Sequence, residues 1–162
     1  MARFAPLAAL PAPVVGLAKE IFRHVLRRPV AGVAVVATLD DGRLVLVRRG
    51  DTGTWALPGG TVEWGETLES TLHRELAEEA GIDEAEYAGL VGVYSRPDRD
   101  PRFHALTIVV RAKVSAPVRP PKNRLEIPEV GLFEPDRVPS PLAMSMDDFL
   151  EAARRGGPPV FE

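Results

Sequence analysis

The sequence predicts an α/β domain built on one mixed β-sheet. Three observations carry this reading. Apolar runs of strand length recur on both sides of one amphipathic helical segment. That segment, about Leu68 to Ala80, is preceded by Thr67 and followed by Gly81, residue types that start and stop helices. A second helical segment, Met144 to Arg155, runs into Gly156-Gly157. Strands and helices alternating along one chain of 162 residues, 45% of them hydrophobic and 27% charged, suffice for a single domain with a proper core.

In order, Met1 to Pro13 is rich in Ala and Pro, and Pro6, Pro11 and Pro13 break any helix there. Arg3 alone supplies positive charge and the prolines interrupt the apolar stretch, so a secretory signal is not expected. Val14 to Arg28 reads as a helix, with Val14, Leu17, Ala18, Ile21 and Val25 at helical spacing and Lys19, Arg23, Arg27 and Arg28 on other faces. A basic amphipathic helix suits a membrane surface or a partner. Packing on its own domain, or on a sister subunit in a homodimer, is the preferred reading. Residues 1–29 are thus read as an extension and 30–162 as the main domain.

Ala31–Thr38 is a continuous apolar run, Asp40-Asp41-Gly42 a tight turn, and Arg43–Arg49 a second strand, together a hairpin. Beyond the central helix, strands are expected at about Leu90–Tyr94, at Phe103–Val114 and at Ile127–Phe133. The loop Ser95–Arg102 is charged and stiffened by Pro97 and Pro101, the composition of a functional connection. In the terminal helix, Met146, Phe149, Leu150 and Ala153 face inward.

The bulk charge excludes some functions. A net charge of −3 argues against binding a nucleic-acid backbone. The chain has no cysteine, so disulfides and thiol catalysis are excluded and a cytoplasmic location is expected. No run is long and apolar enough to span a bilayer, so no membrane partner is expected.

The central helix carries the chemistry. Stepping about 100° per residue, Leu68, Leu72, Leu76 and Ala80 fall within about 120° of arc, and Glu75, Glu78 and Glu79 fall in an adjoining arc of roughly 100°. Glu79 lies inside the edge of the apolar stripe. Like charges so placed repel, and an unpaired buried carboxylate is costly. A hard divalent cation, Mg²⁺ or Mn²⁺, answers both problems through oxygen ligation. Arg74, one turn before Glu78, is placed to pair with it.

Gly60, five residues, Glu66, seven residues, then Arg74-Glu75-Leu76, one residue, Glu78-Glu79, one residue, and Gly81-Ile82: this resembles the Nudix box at each of its defined positions. Gly53-Thr54-Trp55-Ala56-Leu57-Pro58-Gly59-Gly60 looks like the usual approach to that box. The resemblance implies an α/β/α sandwich and an enzyme that hydrolyses a nucleoside diphosphate linked to another group. It implies metal ligation by Glu75, Glu78 and Glu79, joined by the Gly59 carbonyl, with Arg74 orienting the carboxylates and Glu66 steadying the loop–helix geometry. The general base would be a box glutamate or one from a distant loop. Glu126 and Glu129, flanking Pro128, are the distant candidates, with Glu126 preferred.

The substrate is expected to be a small nucleotide. Many ADP-ribose pyrophosphatases carry a proline fifteen positions beyond the box, and Pro97 stands fifteen positions after Ile82. Arg48 and Arg49, near the loop before Trp55, are each placed to reach a substrate phosphate. Arg96, Pro97, Arg99 and Arg102 of the charged loop are candidates for holding the substrate, and Trp55, Tyr94 or Phe103 for stacking on its base. The expected reaction is cleavage of ADP-ribose, or a related nucleoside-diphosphate sugar, to AMP and a sugar phosphate. The alternatives are a (deoxy)nucleoside triphosphate pyrophosphohydrolase and a non-catalytic ligand-sensing module. The intact glutamate set speaks against the last, because a pure binder has no use for metal-activated water.

Overall fold

A computed structural model describes residues 12–26 and 28–162. Expectations for Met1–Pro11 and Arg27 fall outside the described residues. Helix α1 spans Ala12–Leu26, two residues earlier than expected at its start. Pro13 is tolerated there because a helix's first turn leaves its N–H groups unpaired anyway. Val14, Leu17 and Phe22 are exposed in the single chain, so these three do not pack on its own domain.

Strands β1 (Val30–Thr38) and β2 (Leu44–Arg48) form the expected hairpin. Its turn places Gly42 at φ +89°, a conformation that glycine alone adopts cheaply. Strands β3 (Trp55–Ala56) and β4 (Gly59–Thr61) were not expected. At two and three residues they are too short to show a period of two. Helix α2 spans Leu68–Glu79. Strand β5 runs over Ala85–Tyr94, longer than expected, because register shifts at Tyr87/Gly89 and Leu90/Gly92 break the alternation that would have revealed it. Strand β6 spans Ala105–Val114 and β7 spans Glu129–Phe133, both starting two residues later than expected. The terminal helix is also shorter. Ala143–Ser145 is a separate 3₁₀ turn with Met144 at φ +53°, and α3 proper is Asp147–Arg155. Strand β8 (Val160–Phe161) completes the sheet.

The mixed sheet has the order β3-β2-β1-β6-β5-β8, with β4 also on β1 and β7 also on β2. The β1–β6 and β5–β8 pairs are parallel and the others antiparallel. Alternate residues point to opposite faces. Val33, Ile108 and Val110 line a groove beside Leu68 and Leu72 of α2. Gly32, Ala34, Ala105 and Thr107 line a pocket with Phe149 of α3. Helices thus cover both faces, the sandwich expected. Val35, Val45, Leu46, Leu76, Ile82 and Val109 are among the most buried side chains of the core.

Helix α2 positions the site. Thr67 caps its start, accepting from Ser70 N–H (3.1 Å) while Ser70 Oγ accepts from Thr67 N–H (2.9 Å). Gly81, at φ +67°, ends it. Leu72, Leu76 and Ala80 are buried as the periodicity predicts, but Leu68 is 45% exposed. Thr71 takes the buried place, at 0% exposure, because its hydroxyl is satisfied by Glu66 Oε2 and the Thr67 carbonyl, both at 2.9 Å.

Candidate active site

Four carboxylates line one cleft of about 260 Å³: Glu75, Glu78 and Glu79 from α2, and Glu126 from the segment before β7, with Lys122 and Asn123 beside them. The chain brings Glu126 there through backbone pairing. Gly50 N–H donates to the Glu126 carbonyl at 2.7 Å, and Lys122 N–H donates to the Glu78 carbonyl at 2.8 Å. These two bonds pin the loop 116–128 across the end of α2.

Each box glutamate has its own partner. Arg74 Nη1 donates to Glu75 Oε1 at 2.8 Å, and Arg74 Nε and Nη2 grip Glu66 at 2.6 and 2.9 Å. Its Nη2 also reaches the Thr61 carbonyl at 3.0 Å. Arg74 therefore does not pair with Glu78, as its one-turn spacing suggested. Two carboxylates at better fork geometry outcompete one. Glu78 is taken instead by Lys122 Nζ at 2.6 Å. Glu79 Oε2 accepts from Gly59 N–H at 2.9 Å. Gly59, at φ +152°, has to be glycine here, because a Cβ would overlap the Val33 carbonyl oxygen, while a Cβ at Gly60 would displace the Glu75 carboxylate.

The electrostatics follow from burial. Desolvation raises the Glu75 pKa, against the opposing pull of Arg74. Glu79 is pushed up to about 8, chiefly by burial, with Glu75 and Glu126 adding repulsion and the Gly59 N–H opposing. Glu66 goes the other way, down to about 2, because Arg74 bonds to it first and the Glu63 backbone second.

Among the described residues, no three metal-ligating side chains converge. The donor chemistry nevertheless fits a hard divalent cation. All the donors are oxygens, and Glu79 is held in a cleft that penalises its negative charge. Lys122 on Glu78 and Arg74 on Glu75 already offset part of the negative charge of the cleft.

The other nominated residues divide. Arg102 and Arg49 line a second cleft shared with Glu79 and Glu126. Both also line the pocket between the sheet and α3, with Phe103, Met144, Met146 and Gly59–Gly60. Arg102 is held by Asp100, at 2.9 Å through Nε and 2.7 Å through Nη2, and lies 5.1 Å above the Phe103 ring. Arg99 is buried and bonded to Asp148 and Glu162. Arg96 is exposed and paired with Asp98 at 2.9 Å, and Pro97 is exposed beside it. Arg48 bonds to Glu129 at 3.2 Å, its opposite in the β2–β7 register, and to the Gly53 carbonyl at 3.0 Å, and neither residue lines the carboxylate cleft. Trp55 packs edge-on against Phe133 at 4.9 Å. Lys122, Asn123 and Asp100 were not anticipated. Proline-rich surroundings hid the first two, and Asp100 sits in a run of alternating charge that gives no sign of its burial.

A carboxylate-bearing helix packed against a Gly-Gly strand, on a mixed sheet covered on both faces, defines the class. The chain belongs to the Nudix family: the NUDIX domain matches residues 28–153. Among its relatives, an ADP-ribose pyrophosphatase of Methanocaldococcus jannaschii is 47% identical over 72 residues, 43% of this chain and 42% of that protein. A MutT-like protein of Streptomyces ambofaciens is 40% identical over 111 residues, 68% of each chain. The MutT NUDIX hydrolase of Burkholderia pseudomallei superposes with a TM-score of 0.67 at 32% identity, covering 78% of this chain and 98% of that one.

Proposed function

We propose that this chain is a divalent-metal-dependent pyrophosphohydrolase that cleaves ADP-ribose, or a closely related nucleoside-diphosphate sugar, to AMP and a sugar phosphate. One observation carries the reading. Arg49 and Arg102 line at once a cleft that contains Glu79 and Glu126 and the pocket that contains Phe103 and Met144. A diphosphate seated between these two regions meets both guanidiniums, while its two arms extend to either side.

Glu75, Glu78 and Glu79 would hold the cation, Mg²⁺ or Mn²⁺. When bound, it neutralises phosphate oxygens and acidifies the attacking water. Arg74, anchored by Glu66, fixes Glu75 in the cleft. Glu126 accepts the proton of the water as general base. Arg49 and Arg102 balance the charge that builds on the diphosphate. The nucleoside arm enters the pocket of Phe103, Met144, Met146 and Phe149, which Arg102 borders beside Met144. The M. jannaschii relative's name supports this substrate. A triphosphate reading rests on a putative 8-oxo-dGTP diphosphatase of Bacillus subtilis, 39% identical over 66 residues.

A nucleotide panel with Mg²⁺ tests the choice. The expected kcat/KM for ADP-ribose is at least about tenfold above that for any dNTP, about 1.4 kcal/mol of transition-state binding. Arg102→Ala narrows that ratio and Arg96→Ala leaves it. A wild type that prefers a dNTP, with a ratio indifferent to Arg102, would transfer the chain to the triphosphate reading.

A further inference from the structure

The loop Ser95–Phe103 walls the proposed nucleoside pocket, and it is fastened from an unexpected place. Strand β8 adds to β5 in parallel, pairing Val160 with Gly92 and Phe161 with Val93. Gly92 permits this, since a Cβ there would lie 2.8 Å from the Val160 carbonyl oxygen. The next residue, Glu162, is thereby delivered to the root of the loop, its own N–H bonded to the Val93 carbonyl at 3.0 Å.

Glu162 then makes a set of bonds with the loop. Its Oε1 accepts from Ser95 N–H at 3.1 Å and from Arg96 N–H at 2.8 Å. Its Oε2 accepts from Arg99 Nη2 at 2.6 Å, and Ser95 Oγ donates to its carbonyl at 3.0 Å. Arg99 carries the restraint inward. It is 8% exposed, bonds Asp148 at 2.9 Å and the Ser145 carbonyl at 3.3 Å, and lies 5.1 Å from the ring centres of both Tyr94 and Phe149. Nothing in these contacts leaves the Arg99 guanidinium free for a phosphate. Its partners tie the loop to α3 and to the 3₁₀ turn that carries Met144.

We infer that Glu162 is a positioning residue for substrate binding: through Ser95, Arg96 and Arg99 it holds the loop that presents Arg102 and Phe103 to the pocket. Charge-assisted bonds that converge on the buried Arg99 rigidify the loop before substrate arrives, which reduces the ordering cost of binding. The carboxylates of α2 are not touched. Glu162 therefore acts on KM and not on the chemical step.

The inference rests on the proposed substrate for its kinetic half only. Glu162→Gln keeps the shape and weakens the charged bonds. Amide exchange over residues 95–103 should quicken at least about tenfold with the rest of the sheet unchanged. KM for ADP-ribose should rise about tenfold with kcat within about twofold, the pattern of lost ground-state binding. Mn²⁺ affinity, read by electron paramagnetic resonance, should not move. A second variant, Arg99→Met with Glu162→Gln, removes both charges without leaving either buried alone, and should show the same KM rise. Unchanged exchange in residues 95–103 would overturn the latch whatever the substrate. Faster exchange with an unchanged KM, or a fall in kcat alone, would overturn its role in binding. A wild type inert toward ADP-ribose would count against the substrate reading while the exchange result still decides the latch.

Discussion

Glu79→Gln is expected to lower kcat by about a thousandfold, roughly 4 kcal/mol of transition-state stabilisation, while the fold survives. The amide keeps the side chain's shape and its bond to Gly59 N–H but removes the charge that ligates a cation. The same change should stabilise the metal-free protein, and the pH dependence gives the sign. Burial holds the folded-state pKa of Glu79 at about 8, above its ordinary 4.5. The native state therefore binds this proton more tightly than the unfolded chain. The resulting stability is complete below about pH 4.5 and is lost as pH rises through about 8. In chelator, wild type should thus fall behind Glu79→Gln between pH 5 and 8, measured by urea unfolding. Glu66 and Glu162, both depressed to about 2, act in the opposite sense and lose their contribution only as pH falls toward that value. They are common to both proteins and do not contribute to the difference. A stability gap that is the same at both pH values, or near wild-type turnover in saturating Mg²⁺, would remove Glu79 from the site.

Glu126→Gln should cost about 10² to 10⁴ in kcat, the usual contribution of general acid–base catalysis. Its carboxylate lines the cleft with the three box glutamates, whereas Glu129 is paired with Arg48 on the neighbouring strand and does not line it. Glu129→Gln should accordingly leave kcat within about twofold, since surface ion pairs contribute little. If Glu126→Gln retains full turnover with an unchanged pH profile, the base belongs to α2 instead.

The helix that carries the carboxylates was legible because its cap, its stop and its apolar spacing agree, and each is a local property. The placing of Glu75 and Glu79 against Gly59 and Gly60 of strand β4 is long-range, but the fixed spacing of the box encodes it. The loop arginines were not separable in this way. Arg96, Arg99 and Arg102 look alike in sequence and differ only in what tertiary structure brings to them: Asp98 in solvent for the first, Glu162 and Asp148 from distant segments for the buried Arg99, and Asp100 at the pocket wall for the third. Glu162 itself lies far along the chain from the loop it holds, joined through a two-residue strand with no periodicity to read. Lys122 escaped notice for a related reason, since its carbon stem and ammonium reach Glu78 only after the loop has folded back over α2.

The central claim, metal-dependent hydrolysis of a nucleoside-diphosphate sugar at the α2 carboxylates, is tested most directly by following ADP-ribose with product chromatography. The reaction should yield AMP and ribose 5-phosphate in equal amounts with Mg²⁺, stop on exhaustive chelation, and resume when Mg²⁺ or Mn²⁺ is restored. Turnover that continues unchanged in chelator would contradict it.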